Sequence, residues 1–263
     1  MTLTKFIPAI AVAACCSPAA NVRADVSLEL ADLGGRIDYG FYVDDPRAIE
    51  DALPALKRMS ADDASVRYYR AFAAFRLAQL GGPRAATYAE DCVSNATVQE
   101  PAERLSRTAA EARARATAEA WILVAACAGL AGHSEPAKGL AHDRRSSQAL
   151  AHARELDPSN PRIALLDAWL VSQRPALADA AVRDLAIAKL EAAVEAFDAW
   201  SPPSGAPDWG EAEALAALAE VHLARGDRRA ARDLVERALL LAPDYHFAVE
   251  LRTQLQGSRS AAR

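Results

Sequence analysis

The 263-residue chain lacks the short motifs that mark common enzyme sites. It contains no Walker-type phosphate loop, no Gly-x-Ser-x-Gly nucleophile turn and no His-Glu-x-x-His zinc motif. Its five histidines are scattered, and no Cys-x-x-Cys pair indicates a metal site. We therefore expect no catalytic residue, no metal and no cofactor, and we expect a protein that is not an enzyme.

Aromatic residues are also scarce, at 6% of the chain, and runs of alternating β-branched residues are few. β-Strands are enriched in both kinds of residue, so their scarcity argues against a sheet. Alanine-rich segments with apolar residues at helical spacing fill the sequence instead. The predicted fold class is all-α.

Positive charge is not in excess, because 30 Lys and Arg face 35 Asp and Glu for a formal net charge of −5. The arginines are interleaved with acids rather than gathered in a basic stripe, so nucleic acid is not an expected partner. Residues 116–132 form the longest apolar stretch after the N-terminus, but they contain Glu119 and have the spacing of a packed helix. We expect no membrane span in the mature chain.

The first 24 residues have the pattern of an export signal. Lys5 gives a positive start, residues 6–16 form an apolar run too short to span a bilayer, and small residues precede a cleavage point after Ala24. Cleavage there removes two cations and no acid, which lowers the net charge to −7. The mature protein would then be periplasmic or secreted.

A second kind of processing is compatible with the same N-terminus. Residues 12–15 resemble a bacterial lipobox, which would make Cys15 a lipidated N-terminal residue. The product would be an outer-membrane lipoprotein rather than a soluble periplasmic protein.

Only Cys92 and Cys127 remain as cysteines if the leader is removed. An exported chain reaches an oxidising compartment, where two cysteines can pair. A bridge would close a loop of about 35 residues, which is worth roughly 3–4 kcal/mol in the chain-entropy model. Two buried, unpaired thiols are the alternative.

Residues 212–245 carry the clearest pattern in the chain. Leu215 and Leu218 recur at helical spacing, Gly226 interrupts the helix, and Pro243 ends a second amphipathic helix. Two helices of this length cannot bury their apolar faces alone, so they must stack on neighbours.

This stretch resembles a tetratricopeptide repeat (TPR) over one repeat length of roughly 34 residues. Small residues stand at the close-packing positions of that family: Ala219, Ala231 and Ala238. His222 departs from the pattern, because the family usually has an aromatic residue there. The resemblance implies a short right-handed α-solenoid of TPR-like helix pairs with a capping helix.

Weaker helix pairs precede the clear repeat, so the TPR-like domain is predicted to cover residues 46–256. Its first helix is predicted at 46–59, where Asp45 and Pro46 form a good helix start. Residues 25–45 are predicted to be an irregular segment, and 257–263 a disordered tail.

Residues 200–209 contain two tryptophans and three prolines. They are interpreted as a rigid connector whose tryptophans pack against neighbouring helices.

The resemblance implies that the first helix of each pair lines a concave binding face. The groove-facing candidates are Arg162, Leu165, Trp169, Glu213, Ala216, Glu220 and Leu223. An exposed Trp169 beside Arg162 would suit a binding hot spot, and a core position for Trp169 fits the pattern at least as well.

The function that the resemblance implies is that of an exported bacterial TPR-containing protein without enzymatic activity. It would bind a protein or peptide partner in the periplasm or the cell envelope. Two alternatives are a lipoprotein scaffold lipidated at Cys15 and an accessory subunit with an unrecognised enzymatic site.

Overall fold

The computed structural model describes residues 18–96, 107–134, 136–172, 180–202 and 207–260. These ranges contain twelve α-helices and one 3-10 turn at Pro136–Lys138, and they contain no β-strand. The predicted all-α class is confirmed. The helices are α1 Pro18–Tyr42, α2 Pro46–Glu50, α3 Leu53–Arg58, α4 Ala64–Gln79, α5 Ala85–Asn95, α6 Arg107–Ser134, α7 Gly139–Leu156, α8 Pro161–Ser172, α9 Ala180–Asp198, α10 Glu211–Arg225, α11 Arg228–Leu241 and α12 His246–Ser260.

Consecutive helices pack as four pairs: α4 with α5, α6 with α7, α8 with α9, and α10 with α11. Each pair packs on the next, while α1, α2 and α3 cover α4 at one end and α12 covers α10 and α11 at the other. This arrangement is a short α-solenoid with a capping helix, because no pair could bury its apolar face alone.

The pair α10–α11 is built from the features that made its sequence distinctive. Gly226 ends α10 at φ 92°, a left-handed conformation that glycine adopts without strain. The carboxylate of Asp227 then accepts a hydrogen bond from the backbone N–H of Ala230 at the start of α11. Ala231 and Ala238 are completely buried between neighbouring helices.

The prediction of an irregular segment at 25–45 is wrong, because α1 runs through it to Tyr42. Leu30, Leu33 and Ile37 are buried on one face of this helix. Gly40 allows α1 to approach α2 closely. A Cβ added there would lie 2.7 Å from Cγ1 of Ile49 in α2.

Two other boundaries differ from expectation. The single helix predicted at 46–59 is divided into α2 and α3, because Pro54 lacks the N–H that would continue the helical hydrogen bonds. Residues 257–260 of the predicted tail continue α12. The proposed cleavage point after Ala24 falls inside α1, and residues 1–17, including Cys15, lie outside the described residues.

Candidate binding groove

A groove of about 650 Å³ opens along the first helices of the stack. Side chains of α4, α6, α8 and α10 line it, together with the C-terminal end of α1 and the turn that follows it, Ser146 of α7, and the N-terminal part of α12. Part of its lining consists of small residues: Ala125, Ala126, Gly129 and Ala217. These side chains are too short to reach across, so the helices enclose open space.

Aromatic side chains line much of this groove: Phe41, Phe75, Trp169, Tyr245 and Phe247. The ring centroids of Phe75 and Trp169 are 6.5 Å apart, and those of Tyr245 and Phe247 are 6.1 Å apart. Phe41 lies 6.1 Å from Tyr245 and links the N-terminal helices to the C-terminal end of the groove. Phe41, Trp169 and Phe247 are only partly buried and offer apolar surface to a bound side chain, whereas Phe75 and Tyr245 are buried.

The lining also contains four acidic residues. Asp44, Glu220 and Glu250 are exposed around the groove, and the fourth carboxylate, Glu213, is buried. Asp44 adopts φ 56° in the turn from α1 to α2, a left-handed conformation that Asp tolerates better than most residues. His246 stands between two of these acids, 3.9 Å from Asp44 and 4.0 Å from Glu250.

Arg76 lies buried beside the groove and connects three helices. Its guanidinium donates to Glu213 of α10 at 2.6 Å and to Asp38 of α1 at 3.0 Å. Glu213 also accepts hydrogen bonds from the Tyr42 hydroxyl at 3.0 Å and from the backbone N–H of Gly210 at 2.8 Å. The cluster joins α1 and α4 at one end of the chain to α10 near the other.

The two carboxylates compete for one guanidinium. Burial raises the pKa of Asp38 from 3.8 to about 7, and the favourable charge of Arg76 offsets this only in part because Glu213 shares it. Burial alone would lower the pKa of Arg76, but Glu213 and Asp38 raise it above its usual value. Arg76 therefore stays charged, while Asp38 titrates near neutral pH.

A second buried cluster surrounds Arg162. Its guanidinium donates to Glu119 at 3.1 Å and to the backbone carbonyl of Pro207. Asn160 donates to the same Glu119 oxygen at 2.7 Å, and the Trp200 ring lies 4.8 Å from the guanidinium. This cluster fastens the segment before α10 to α6 and α8.

The structure corrects the predicted binding role of Arg162, Leu165 and Ala216, because none of the three exposes any surface. The Arg162 guanidinium forms a buried ion pair with Glu119, and Leu165 and Ala216 belong to the apolar core. Leu223 is half-buried against that core and does not line the groove.

Three predicted residues do line the groove: Trp169, Glu213 and Glu220. Glu213 is committed to Arg76, so it supports the groove rather than presenting a free carboxylate. Partial burial raises the pKa of Glu220 above its usual value. Trp169 packs against Phe75 and also lines the groove. It therefore has features of both predicted positions, the core and the binding face.

Sequence reasoning missed the groove residues that lie outside the four pairs. Phe41 and Asp44 come from the segment predicted to be irregular, and Phe247 and Glu250 come from the capping helix. The helical period of 246–255 could have identified an exposed face on α12. Nothing in the sequence pattern indicated that this face meets the end of α1.

The connector to α10 is held by Trp209, which exposes 1% of its surface. Its indole N–H donates to the Tyr68 hydroxyl of α4 at 3.1 Å. Packing of the connector tryptophans against neighbouring helices is therefore observed, while residues 203–206 of the connector lie outside the described residues.

Cys92 of α5 and Cys127 of α6 are joined by a disulfide, with their Cα atoms 5.4 Å apart. Both residues are completely buried. The bond links the second helix of the first pair to the first helix of the second pair, which is the pairing favoured in the sequence analysis.

One helix of the described ranges, at Ala110–Gly132 in α6, is long and apolar enough to cross a membrane by length and composition. More than half of its most apolar window is buried against other helices, and a core helix of a folded domain passes the same test. The absence of a membrane span in the mature chain stays a prediction.

Within the part of the chain that the structure describes, no group of three or more His, Cys, Asp and Glu side chains could hold a metal ion. The expectation that the protein is not an enzyme stays a prediction.

No protein-family profile matches the chain. No curated protein is significantly similar to it. Among solved structures, it is similar to a thermophilic TPR protein of Thermus thermophilus, with 18% sequence identity and a TM-score of 0.50. The match covers 90% of this chain and 97% of the other. The likeness shows that this chain has a TPR-like α-solenoid fold.

Proposed function

We propose that this protein is an exported, non-enzymatic scaffold that binds a protein or peptide segment in the groove. The observation that carries the proposal is the groove itself, a volume of about 650 Å³ bounded by aromatic rings and carboxylates. TPR-like solenoids expose such extended concave surfaces because each repeat contributes one helix to them. A ligand lying along the groove meets several helices in turn.

The groove suits a segment of polypeptide better than a compact small molecule. Its lining comes from elements spread between Phe41 and Glu250, and it contains both apolar and polar groups. An extended or helical segment can place successive side chains against such a surface. The buried Arg76 and Arg162 clusters fix the helices that form it, so binding requires little backbone movement.

Export is supported by the leader and by the disulfide. Residues 1–24 have the composition of an export signal, and the pair Cys92–Cys127 suits an oxidising compartment. Cleavage after Ala24 and lipidation of Cys15 both retain Leu30, Leu33 and Ile37, the buried face of α1. The mass of the mature N-terminal peptide separates the two: an acylated peptide beginning at Cys15 would make the protein a lipoprotein.

Photocrosslinking in the producing cell tests the groove. A benzoylphenylalanine at Phe247 would lie in the groove, and one at Leu240, which is 82% exposed and outside it, serves as the control. We expect a discrete crosslinked product from position 247 alone. Periplasmic fractionation of the same cells tests export.

A groove-filling variant makes the test specific. A Cβ added at Gly129 meets no atom within 4 Å, so Gly129→Leu fills space in the groove and also improves helix propensity. Gly257→Leu makes the same change at an open position of α12 outside the groove. Loss of the product in Gly129→Leu alone supports the proposal. A product that persists in Gly129→Leu, or no product at position 247, overturns the groove as the binding site.

A further inference from the structure

We infer that the segment bound in the groove is basic, with lysine or arginine side chains that meet the exposed carboxylates while apolar side chains meet the rings. This inference rests on the proposed function, since it specifies the partner of the same groove. It is carried by the charges that line the groove.

The lining is acidic without compensation from long cationic side chains. Three of the four carboxylates in the lining, Asp44, Glu220 and Glu250, are exposed, and the fourth, Glu213, is paired with Arg76; no lysine or arginine lines the groove among the described residues. His246 is the one histidine of the described lining. Its ring nitrogens lie 3.9 Å from the Asp44 carboxylate and 4.0 Å from the Glu250 carboxylate. A ligand without positive charge would supply no cationic partner to the exposed acids.

The acids are placed to receive separate cationic groups. Glu220 lies on α10, Glu250 on α12 and Asp44 in the turn after α1, so they approach the groove from three elements. No hydrogen bond or ion pair holds the Glu220 carboxylate within the described ranges. A cation near it would also relieve the cost of its partial burial, which raises its pKa.

The aromatic rings favour the same partner. A guanidinium or ammonium group is attracted to the face of an aromatic ring within about 6 Å of its centroid. Phe41 already holds the guanidinium of Arg76 at 4.0 Å inside the fold. Phe247 and Glu250 both line the groove and lie three residues apart on α12, so that one lysine or arginine of a bound segment can contact that ring and that acid together.

An acidic segment would meet no lysine or arginine in the described lining of the groove. Arg76 is the nearest buried cation of the described cluster, and its guanidinium is committed to Glu213 and Asp38 at 2.6 and 3.0 Å. Releasing it would leave the buried Glu213 and the largely buried Asp38 without a cationic partner, which is unfavourable. The groove therefore selects against negative charge as well as for positive charge.

Selection from a phage-displayed library of random dodecapeptides tests the inference on the full chain. Each enriched peptide is synthesised and its affinity measured for four proteins: wild type, Gly129→Leu, Glu220→Gln/Glu250→Gln and Glu90→Gln/Glu195→Gln. The last variant removes the same charge from exposed positions on α5 and α9 that do not line the groove. Glutamine keeps the shape of glutamate, so only charge is altered in both double variants.

We expect enriched peptides with net positive charge that lose binding to Gly129→Leu. Their affinity should fall about two- to thirtyfold for Glu220→Gln/Glu250→Gln, because two partly screened ion pairs are lost, and should stay unchanged for Glu90→Gln/Glu195→Gln. Binding should also weaken as salt is added.

The outcomes separate this inference from the proposed function. Peptides that bind the groove, as shown by their loss in Gly129→Leu, but that are neutral or acidic, overturn the basic partner and leave the groove as a binding site. Equal losses in the two Glu→Gln variants would have the same meaning, because the effect would then come from net charge alone. If no enriched peptide depends on Gly129, the proposed function itself fails.

Discussion

Arg76 shows how one buried cation decides the protonation of its surroundings. Its guanidinium faces Glu213 and Asp38, and it lies 4.0 Å from the centre of the Phe41 ring. One positive charge cannot fully stabilise two buried carboxylates. Glu213 holds the shorter contact and two further donors, so Asp38 is the acid whose pKa burial raises to about 7. Folding therefore favours the protonated form of Asp38.

This protonation predicts how stability depends on pH. Because the pKa of Asp38 is raised from 3.8 to about 7, the stabilising effect of its proton is fully present below pH 3.8 and is lost as the pH rises through about 7. Across that window the effect is on the order of a few kcal/mol. Asp38→Asn keeps an oxygen that accepts from Arg76 but cannot ionise. We expect a flatter dependence of the free energy of unfolding on pH, measured by urea titration from pH 4 to 8.

Asp62→Asn is the matched control for this experiment, since Asp62 is exposed in the turn before α4. It should reproduce the wild-type slope. The free energy of unfolding of Asp38→Asn should still depend on pH in part, because burial also raises the pKa of Glu119. An Asp38→Asn protein with the full wild-type slope would contradict the assignment.

At the scale of elements, close packing of α1 on α2 requires a glycine at position 40, although glycine is unfavourable inside a helix. A Cβ at Gly40 would lie 2.7 Å from Ile49 and 3.1 Å from both the Cβ of Ala48 and the carbonyl of Asp45. A Cβ at Gly35 meets nothing within 4 Å. We expect Gly40→Ala to lower the free energy of unfolding by about 1–3 kcal/mol through overpacking. Gly35→Ala in the same helix should raise it by about 0.5–1 kcal/mol through helix propensity.

Chemical denaturation of both glycine variants provides the measurement. Equal effects of the two substitutions would show that α1 does not pack closely on α2. The comparison is informative because the same methyl group is added to one helix at two positions that differ in their neighbours.

The disulfide links two helices that already pack together, α5 and α6. Because it closes a loop across a sequence separation of 35 residues, it should contribute roughly 3–4 kcal/mol in the chain-entropy model. We expect Cys92→Ala/Cys127→Ala to unfold at a correspondingly lower urea concentration. Reductant should destabilise the wild type by a similar amount and leave the double variant unchanged.

Intact mass provides the independent check on the bond. The wild-type chain should gain two hydrogens on reduction of Cys92–Cys127. A mass that does not change with reductant would show that the two thiols are free in the isolated protein.

At the scale of the whole molecule, the solenoid closes on itself. Arg76 and Glu213 are 137 residues apart, and Tyr68 and Trp209 are 141 residues apart, yet both pairs are hydrogen-bonded. Contacts in an open repeat array are confined to neighbouring repeats. Here the first pair contacts the connector and the first helix of the fourth, so unfolding of one of these pairs removes contacts from the other.

We therefore expect cooperative unfolding of the wild type, with far-UV circular dichroism and tryptophan fluorescence reporting the same transition. Glu213→Gln weakens the contact between the first and fourth pairs while leaving each pair intact. It should destabilise the fold by about 1–3 kcal/mol and separate the two transitions. Glu236→Gln, at an exposed position of α11, should leave them coincident. Coincident transitions in Glu213→Gln would show that closure does not couple the repeats.

Local patterns in the sequence predicted the helical pairs well where they were close to the family pattern. Gly226, Asp227 and Ala231 act through backbone conformation, capping and close packing within one pair, so their roles are visible from neighbours in sequence. The same reasoning failed at Arg162, which has the charge expected of a binding residue. Its partners Glu119 and Pro207 are 43 and 45 residues away.

The sequence by itself determined the all-α class, the helix pairs and the turn chemistry of the pair α10–α11, because these depend on spacing and on short-range hydrogen bonds. Only the tertiary structure decided which polar residues face the groove. Helical period identifies a face of each helix, but it does not say which face meets another helix across the superhelix. That choice buried Arg162 and Glu213 and exposed Glu220 and Glu250, and it brought Phe41 beside Tyr245 from opposite ends of the chain.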